Sequence, residues 1–307
     1  FNYKKIYFDL GFLLISIFVL IKISIILVNY NFLLFIPIVF VIAGRQGVIL
    51  QFMHECAHYL VFRKRYHNDY LGRILGLMIG LNFNEYKNVH RLHHANAATI
   101  NEPITDMSKY QIVNIDKKEL YIEFLKDLFG ISALKIFLNY SNDLSNIEKN
   151  KNKINLKNLI KKVAFLSFFQ SIILIFLFSG NIIEYILLWV YPLAGPHVLL
   201  MRIRGIAEHG LHRQQGKKFV EKDEGLYLTR SFLTPYKSYK SKLVFYIEKI
   251  LIGTLNVNYH HEHHLDPKIP YYNLDKFHKM IKSKINFILP NTIYEKGYFS
   301  AVFNRIK

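Results

Sequence analysis

Residues 32–58 read FLLFIPIVFVIAGRQGVILQFMHECAH, and this stretch carries the two signals that decide the fold. The apolar run over 32–52 is long enough to cross a hydrocarbon core of about 30 Å and to project beyond it as a helix. It leads into HECAH at 54–58, where His54 and His58 are four residues apart and therefore share one helical face. The stretch predicts a membrane helix that ends in a pair of histidines able to hold one metal ion.

Three further apolar runs accompany this one, at residues 10–28, 163–179 and 182–203. Very short polar turns, around Asn29 to Asn31 and around Gly180 and Asn181, join the four runs in pairs. Each run is long enough, or nearly so, to span a bilayer as a helix. The sequence therefore predicts an all-α integral membrane protein with four transmembrane helices in two hairpins. The whole chain, 1–307, is expected to form a single domain.

The distribution of positive charge predicts the sidedness of the hairpins. Neither tight turn contains Lys or Arg, whereas the opposite side is rich in both, so the positive-inside rule places both termini in the cytoplasm. The two polar segments, 53–160 and 204–307, then form a cytoplasmic helical cap. The net charge of +18 is explained largely as a solvated surface that faces lipid headgroups, and nucleic-acid binding is disfavoured. The basic residues on this side are Lys4, Lys5, Arg63, Lys64, Arg65, Lys161, Lys162, Arg202 and Arg204.

The predicted cap contains segments of different character. Leu71 to Phe83 is apolar but short for a span, which indicates a re-entrant or surface-lying segment. From Leu120 to Phe129, apolar residues recur at helical spacing among charged ones, which predicts a helix in the membrane interface. Ser141 to Asn158 is rich in Asn and Lys and is expected to be a loop.

Histidines form three more groups on the same predicted side of the membrane. HRLHH at 90–94 and HHEHH at 260–264 both place three histidines on one helical face, and His209 and His212 follow the last apolar run. Eight or nine clustered imidazoles exceed the ligands of one zinc ion and indicate two ions, for which iron and O2 chemistry is a good fit. The single cysteine, Cys56, excludes an internal disulfide and a Cys-rich metal site.

The order and spacing of HECAH, HRLHH and HHEHH, the last running on into LDPKIPYYNL, resemble the membrane fatty acid desaturase family. This resemblance implies a di-iron centre below the membrane, O2 as co-substrate and a tunnel for an extended acyl chain of a lipid. No HPGG haem-binding run is present, so electrons are expected from a separate donor, such as a ferredoxin or a cytochrome. The residues implied as iron ligands are His54, His58, His90, His93, His94, His209, His260, His263 and His264; for His209, the nearby His212 is an alternative.

Acidic residues near the histidine motifs are candidates for hydrogen bonds that fix a ligand tautomer. Ordinary surface carboxylates or helix caps are the alternative interpretation for all of them. His261 is expected to support the ligands or to lie at the surface. The acidic candidates are Glu55, Asp106, Glu208, Glu262 and Asp266.

The preferred function is therefore an O2-dependent oxidoreductase that introduces a C=C bond into an acyl chain. A lipid or carotenoid hydroxylase or ketolase of the same superfamily, as the resemblance also allows, stays open as an alternative. HECAH also matches the HExxH motif, which makes an intramembrane zinc protease, with Glu55 as general base, the alternative from another class. A non-catalytic transporter or metal-binding membrane protein is the remaining possibility.

Overall fold

The regular elements of the chain are helices throughout the part that the structure describes. The structure is a computed structural model, and it describes residues 1–97, 117–136, 156–209, 229–232, 242–284 and 297–303. Residues 131–136 are also helical, and a 3-10 turn at Phe32–Leu34 precedes α2. The helices are α1 (Tyr3–Tyr30), α2 (Phe35–Ala57), α3 (Arg65–Met78), α4 (Phe83–Asn96), α5 (Lys117–Leu128), α6 (Leu156–Phe178), α7 (Ile182–His209), α8 (Lys242–Leu251), α9 (His260–Leu265), α10 (Leu274–Lys284) and α11 (Tyr298–Phe303).

Helix α1 shows the surface expected of a membrane helix. It has 28 residues, which corresponds to about 42 Å at the rise of an α-helix. One side is buried against the other helices, whereas the large apolar side chains of Phe8, Ile15 and Ile26 are exposed. A soluble helix would carry polar residues on that outer side, so its composition is typical of contact with lipid. Asn31 ends the helix and starts the next one, since its side chain accepts a hydrogen bond from the Leu33 amide.

Among the residues that the structure describes, three helical segments are long and apolar enough to cross a membrane: Tyr3–Tyr30, Phe32–Ala57 and Ile182–His209. The prediction of an all-helical membrane protein is thus confirmed. The predicted span at 163–179 corresponds to the apolar part of α6, Val163–Phe178, which is shorter than the other three. The count of four spans and the cytoplasmic location of the cap remain predictions.

Helix α7 is not one uninterrupted α-helix. It contains a π-helical turn at Ile186–Val190 and a break at Gly195, and the last part, Pro196–His209, runs on to the histidine end. A Cβ atom on Gly195 would come within 2.5 Å of the carbonyl oxygen of Leu128. A glycine at this break therefore lets α5 pack directly against α7.

The apolar segment Leu71 to Phe83 is divided between two helices. It forms the end of α3, a turn and the first residue of α4, so it is not one continuous segment. Close packing explains its glycines: a Cβ on Gly72 would lie within 2.4 Å of the Phe83 ring, and one on Gly76 would lie 2.6 Å from the Leu81 carbonyl oxygen. Helix α3 packs along α2, and the turn directs α4 back towards the end of α2.

Helix α5 forms where the periodicity of 120–129 predicted a helix, but Asp127 on this helix and Arg202 on α7 are both buried. Arg202 of α7 donates to both carboxylate oxygens of Asp127, at 2.5 and 2.7 Å, and both side chains are essentially inaccessible to solvent. The prediction of Arg202 as part of a headgroup-facing surface was therefore wrong. Its guanidinium needs a charge partner because it is buried among helices, and the pair fixes α5 to α7.

The N-terminus of α1 lies at the same end of the molecule as the histidine motifs. The Asn2 amide donates to the Tyr272 hydroxyl at 3.0 Å, and the Arg63 amide donates to the Tyr3 hydroxyl at 3.3 Å. The hydroxyl of Tyr271 donates to Asp9. These contacts tie α1 to the segments that follow α2 and α9, so they close the bundle around the histidines.

Candidate metal centre

Four helices deliver the histidines to one place. Helix α2 ends at Ala57, within HECAH, and His58 is its C-cap; Tyr59 then adopts a left-handed conformation (φ 60°), and the Leu60 amide bonds back to the Glu55 carbonyl. This left-handed turn terminates the helix in the manner of a C-cap. Helix α4 starts at the Asn82 cap, whose side chain accepts from two amides of its first turn. The remaining histidines come from the end of α7 and from the short helix α9.

Five histidines form the first cluster, in which candidate ligand atoms all lie within 4.8 Å of one another. The Nε2 atoms of His58 and His90 are 2.8 Å apart, those of His90 and His94 are 3.0 Å apart, and those of His94 and His263 are 3.1 Å apart. Two ligands at right angles on a metal–nitrogen distance of about 2.1 Å are about 3.0 Å apart. We refer to His54, His58, His90, His94 and His263 as the five-histidine cluster.

The other four predicted ligands form an adjoining cluster. The ligand atoms of His93, His209 and His264 lie within 4.8 Å of one another, and so do those of Glu208, His209 and His260. The Nε2 atoms of His209 and His260 are 2.7 Å apart. The stacked rings of His94 and His264, with centroids 4.3 Å apart, connect this group to the first. We refer to His93, His209, His260 and His264 as the four-histidine cluster.

The chemistry of the clusters fits metal ions. A neutral imidazole nitrogen has one proton or one lone pair in the ring plane, so the His90 Nε2 cannot hydrogen-bond well to two neighbouring nitrogens at once. The Nε2 of His264 is buried and has no hydrogen-bond partner in the described part of the chain. Cations held between such nitrogens would satisfy them all.

Several of these histidines are also held in the protonation state that metal binding requires. Burial lowers the pKa of His58 to about 4 and that of His94 to about 2, and neighbouring histidines lower the pKa of His94 further. The unprotonated imidazoles that result are the form that binds metals. Burial, and after it charge repulsion between neighbours, also lowers the pKa values of His90, His260, His263 and His264 well below the ordinary value.

Each cluster has one buried carboxylate beside a Nδ1 atom. In the five-histidine cluster, Glu55 Oε1 lies 3.5 Å from the Nδ1 of His54, and Glu55 Oε2 accepts the Tyr271 amide at 3.1 Å. In the four-histidine cluster, Glu208 Oε2 lies 3.3 Å from the Nδ1 of His260. A carboxylate at Nδ1 favours the tautomer whose Nε2 is free for a metal.

Arg204 and Tyr298 complete the surroundings of Glu208. The Nε of Arg204 donates to both oxygens of Glu208, at 2.9 and 3.0 Å, and the Tyr298 hydroxyl donates at 3.4 Å. Sequence reasoning assigned Arg204 to the basic membrane-facing surface and did not single out Tyr298. The Arg204 side chain is mostly buried, and the i, i+4 spacing from Glu208 was the available signal for this pair.

Glu262 and Asp266 have other hydrogen-bond partners. Glu262 is buried and accepts from the Ser231 hydroxyl and from the Nδ1 of His278, the latter at 2.7 Å. Asp266 accepts from the Lys268 amide and caps a turn instead. His261 is fully buried, with its Nδ1 2.8 Å from the Thr229 hydroxyl. His212 and Asp106 lie outside the described residues.

The fold and the site define a class: an all-helical membrane protein with a histidine-rich candidate metal centre at one end of its bundle. The sequence matches the family model described as "Fatty acid desaturase" over residues 31–291. A Bacillus subtilis (strain 168) protein named "Fatty acid desaturase" is 21% identical over 260 residues, which cover 82% of this chain and 69% of that protein. The chain belongs to the fatty acid desaturase family, and this membership implies an oxidoreductase with an acyl or lipid substrate.

Proposed function

We propose that this protein is an O2-dependent desaturase that introduces a C=C bond into the acyl chain of a membrane lipid. The observation that carries the proposal is the convergence of nine histidines from four helices into two adjoining clusters. They lie at the end of a bundle whose outer surface is apolar. For each double bond the reaction consumes one O2, two electrons and two protons, removes two hydrogens from neighbouring methylenes and releases two waters. Residues 1–307 would act as one domain.

The two clusters would hold one iron ion each. The five-histidine cluster would bind one through its converging Nε2 atoms, and the four-histidine cluster would bind the other. When bound, the iron pair would supply the O2 activation that an unactivated C–H bond requires. The chain contributes the geometry: Glu55 and Glu208 orient His54 and His260, and the buried surroundings limit access of water.

The position of Glu55 argues against the zinc protease. In an HExxH protease the glutamate acts as general base on a water bound to the zinc, beside the two histidines. Here Glu55 lies on the Nδ1 side of His54 and is held by the Tyr271 amide. A single zinc would also leave most of the nine histidines without a metal.

Partners and location follow from the proposed chemistry. The substrate would enter from the bilayer that surrounds the apolar helices, and a separate one-electron carrier, such as a ferredoxin or a cytochrome, would reduce the site. The iron centre and the termini would lie on the cytoplasmic side, as the absence of basic residues from the two tight turns favours.

Lipid profiling of an expression host tests this proposal. The chain is expressed in a host of known lipid composition, beside a His90→Ala variant that folds and inserts equally, and lipids are compared by mass spectrometry. We expect acyl chains that have lost two hydrogens in the wild type only. A gain of one oxygen would identify a hydroxylase instead. Unchanged lipids with an iron-loaded, reducible wild type would contradict the proposal.

A further inference from the structure

Helix α10 presents a basic surface beside the third histidine motif. Lys276, Lys279 and Lys282 are exposed on its outer side, and Lys268 is exposed in the segment that precedes it. Over residues 266–282 four lysines stand against two aspartates. Asp275 lies only at the limit of an ion pair with Lys279, at 4.0 Å. The surface therefore keeps a positive balance, and we call these four lysines the α10 surface.

One side chain connects this surface to the metal centre. His278 lies on α10, and its Nδ1 is 2.7 Å from Oε1 of Glu262. Glu262 is buried in α9 between His261 and His263, and the latter belongs to the five-histidine cluster. A molecule seated on the α10 surface would thus be separated from the candidate ligands by one hydrogen-bonded pair, His278 and Glu262.

Two other basic regions of the described residues suit this role less well. On α4, the ammonium of Lys87 is 2.7 Å from Asp69, which offsets its charge, and Arg91 is a single exposed cation within the second histidine motif. At the start of α1, Lys5 is paired with Asp9 at 3.0 Å. The α10 surface combines several exposed cations with a direct contact to a histidine motif.

We propose that the α10 surface is the docking site for an acidic one-electron carrier protein that reduces the metal centre. The inference rests on the proposed function, because that reaction needs two electrons from outside the chain. Two carriers would each be oxidised by one electron for each double bond formed. Charge complementarity of this kind increases association rates and is weakened by salt.

Charge reversal on α10 tests the proposal. The triple variant Lys276→Glu, Lys279→Glu, Lys282→Glu is compared with the wild type as full, purified, iron-loaded chains, with a low-potential acidic [2Fe–2S] ferredoxin as probe. The matched control reverses three exposed lysines near α5: Lys117→Glu, Lys118→Glu and Lys135→Glu. Helix content and iron content show that each variant is folded.

The expected result is a ferredoxin Kd at least about tenfold weaker for the α10 variant, with unchanged turnover when dithionite replaces the protein donor. The control variant should bind ferredoxin like the wild type. Equal Kd values for all three proteins, or equal weakening in both variants, would overturn the proposal. So would loss of binding to anionic phosphatidylglycerol vesicles without a change in ferredoxin binding, because the lysines would then contact headgroups.

The two proposals fail in different ways. Ferredoxin binding is measured without turnover, so it decides the docking site even in a chain that desaturates nothing. Absence of dithionite-driven turnover in the iron-loaded wild type would instead count against the proposed function.

Discussion

The two histidine clusters differ in how their buried carboxylates are compensated. Glu208, beside the four-histidine cluster, is bonded through both oxygens to Arg204. Glu55, beside the five-histidine cluster, is held by the Tyr271 amide, which carries no formal charge. A buried carboxylate is costly unless it is paired. The negative charge of Glu208 is therefore largely neutralised by Arg204 without metal. The charge of Glu55 depends more on a bound metal ion for its neutralisation.

Removal of one ligand from either cluster should have the largest effect. We expect both His90→Ala and His260→Ala to lose activity by at least about a thousandfold, since each ion needs its converging imidazoles. Each variant should retain close to one iron per chain, measured by metal analysis after reconstitution. His67→Ala, at an exposed histidine outside the clusters, is the control. Full activity in either ligand variant would remove that histidine from the proposed centre.

Removal of each carboxylate in turn should have a different effect on stability in the two clusters. Glu208→Ala leaves the Arg204 guanidinium buried without its partner, which should lower the free energy of unfolding by about 3–5 kcal/mol. Glu55→Ala leaves no buried charge without a partner; it removes the acceptor of the Tyr271 amide and the carboxylate beside His54, and should cost about 1–3 kcal/mol. Iron affinity should fall about 10- to 100-fold in both.

The measurements are chemical unfolding in micelles and iron titration. Glu208→Gln is the control, because it keeps the shape and removes only the charge. Equal destabilisation by Glu55→Ala and Glu208→Ala would show that Arg204 does not distinguish the two sites.

The iron-free protein should lose stability as the pH falls. Burial holds the pKa of His58 at about 4, below the value of about 6.5 in an unfolded chain. Between those pH values the unfolded chain binds a proton at this histidine and the folded chain does not. The free energy of unfolding therefore falls by about 1.4 kcal/mol for each unit by which the pH is lowered, for each such histidine. Thermal unfolding at pH 7.5 and pH 5 measures this. A melting temperature independent of pH would contradict the buried, neutral state of the cluster.

Loss of the hydrogen bond between α1 and the loop after α9 should have the smallest effect on stability. Tyr271→Phe removes the hydroxyl that donates to Asp9 but keeps the backbone amide that binds Glu55. Asp9 keeps its ion pair with Lys5, so we expect a loss of about 0.5–1.5 kcal/mol in stability with unchanged iron content. Tyr272→Phe, which removes the acceptor of the exposed Asn2 amide, is the matched control and should cost less. A loss of iron in Tyr271→Phe would mean that α1 itself positions the ligands.

Local sequence patterns predicted most of the candidate centre. The i, i+3 and i+4 spacing of the histidines defines a face on each helix, and the apolar runs defined three helices long enough to span a membrane. The predicted hairpins then implied that these faces meet, because each hairpin would return the chain to the same end of the bundle. These are regularities of short range, which a sequence displays directly.

Contacts between distant segments were not predictable in the same way. Nothing near Asp127 in the sequence indicates Arg202, and nothing near Glu262 indicates Ser231 or His278. These pairs form only when helices pack, and a charged residue at a helix end has the same sequence pattern whether it faces lipid headgroups or a buried partner. Arg202 was assigned to the surface for that reason.

Metal analysis of the purified, reconstituted wild-type chain decides whether the histidine clusters bind a pair of iron ions, and Mössbauer spectroscopy gives the nuclearity and oxidation state of the bound iron. We expect two irons per chain in nitrogen-rich sites. One tightly bound zinc per chain, or iron that does not bind at all, would contradict this expectation.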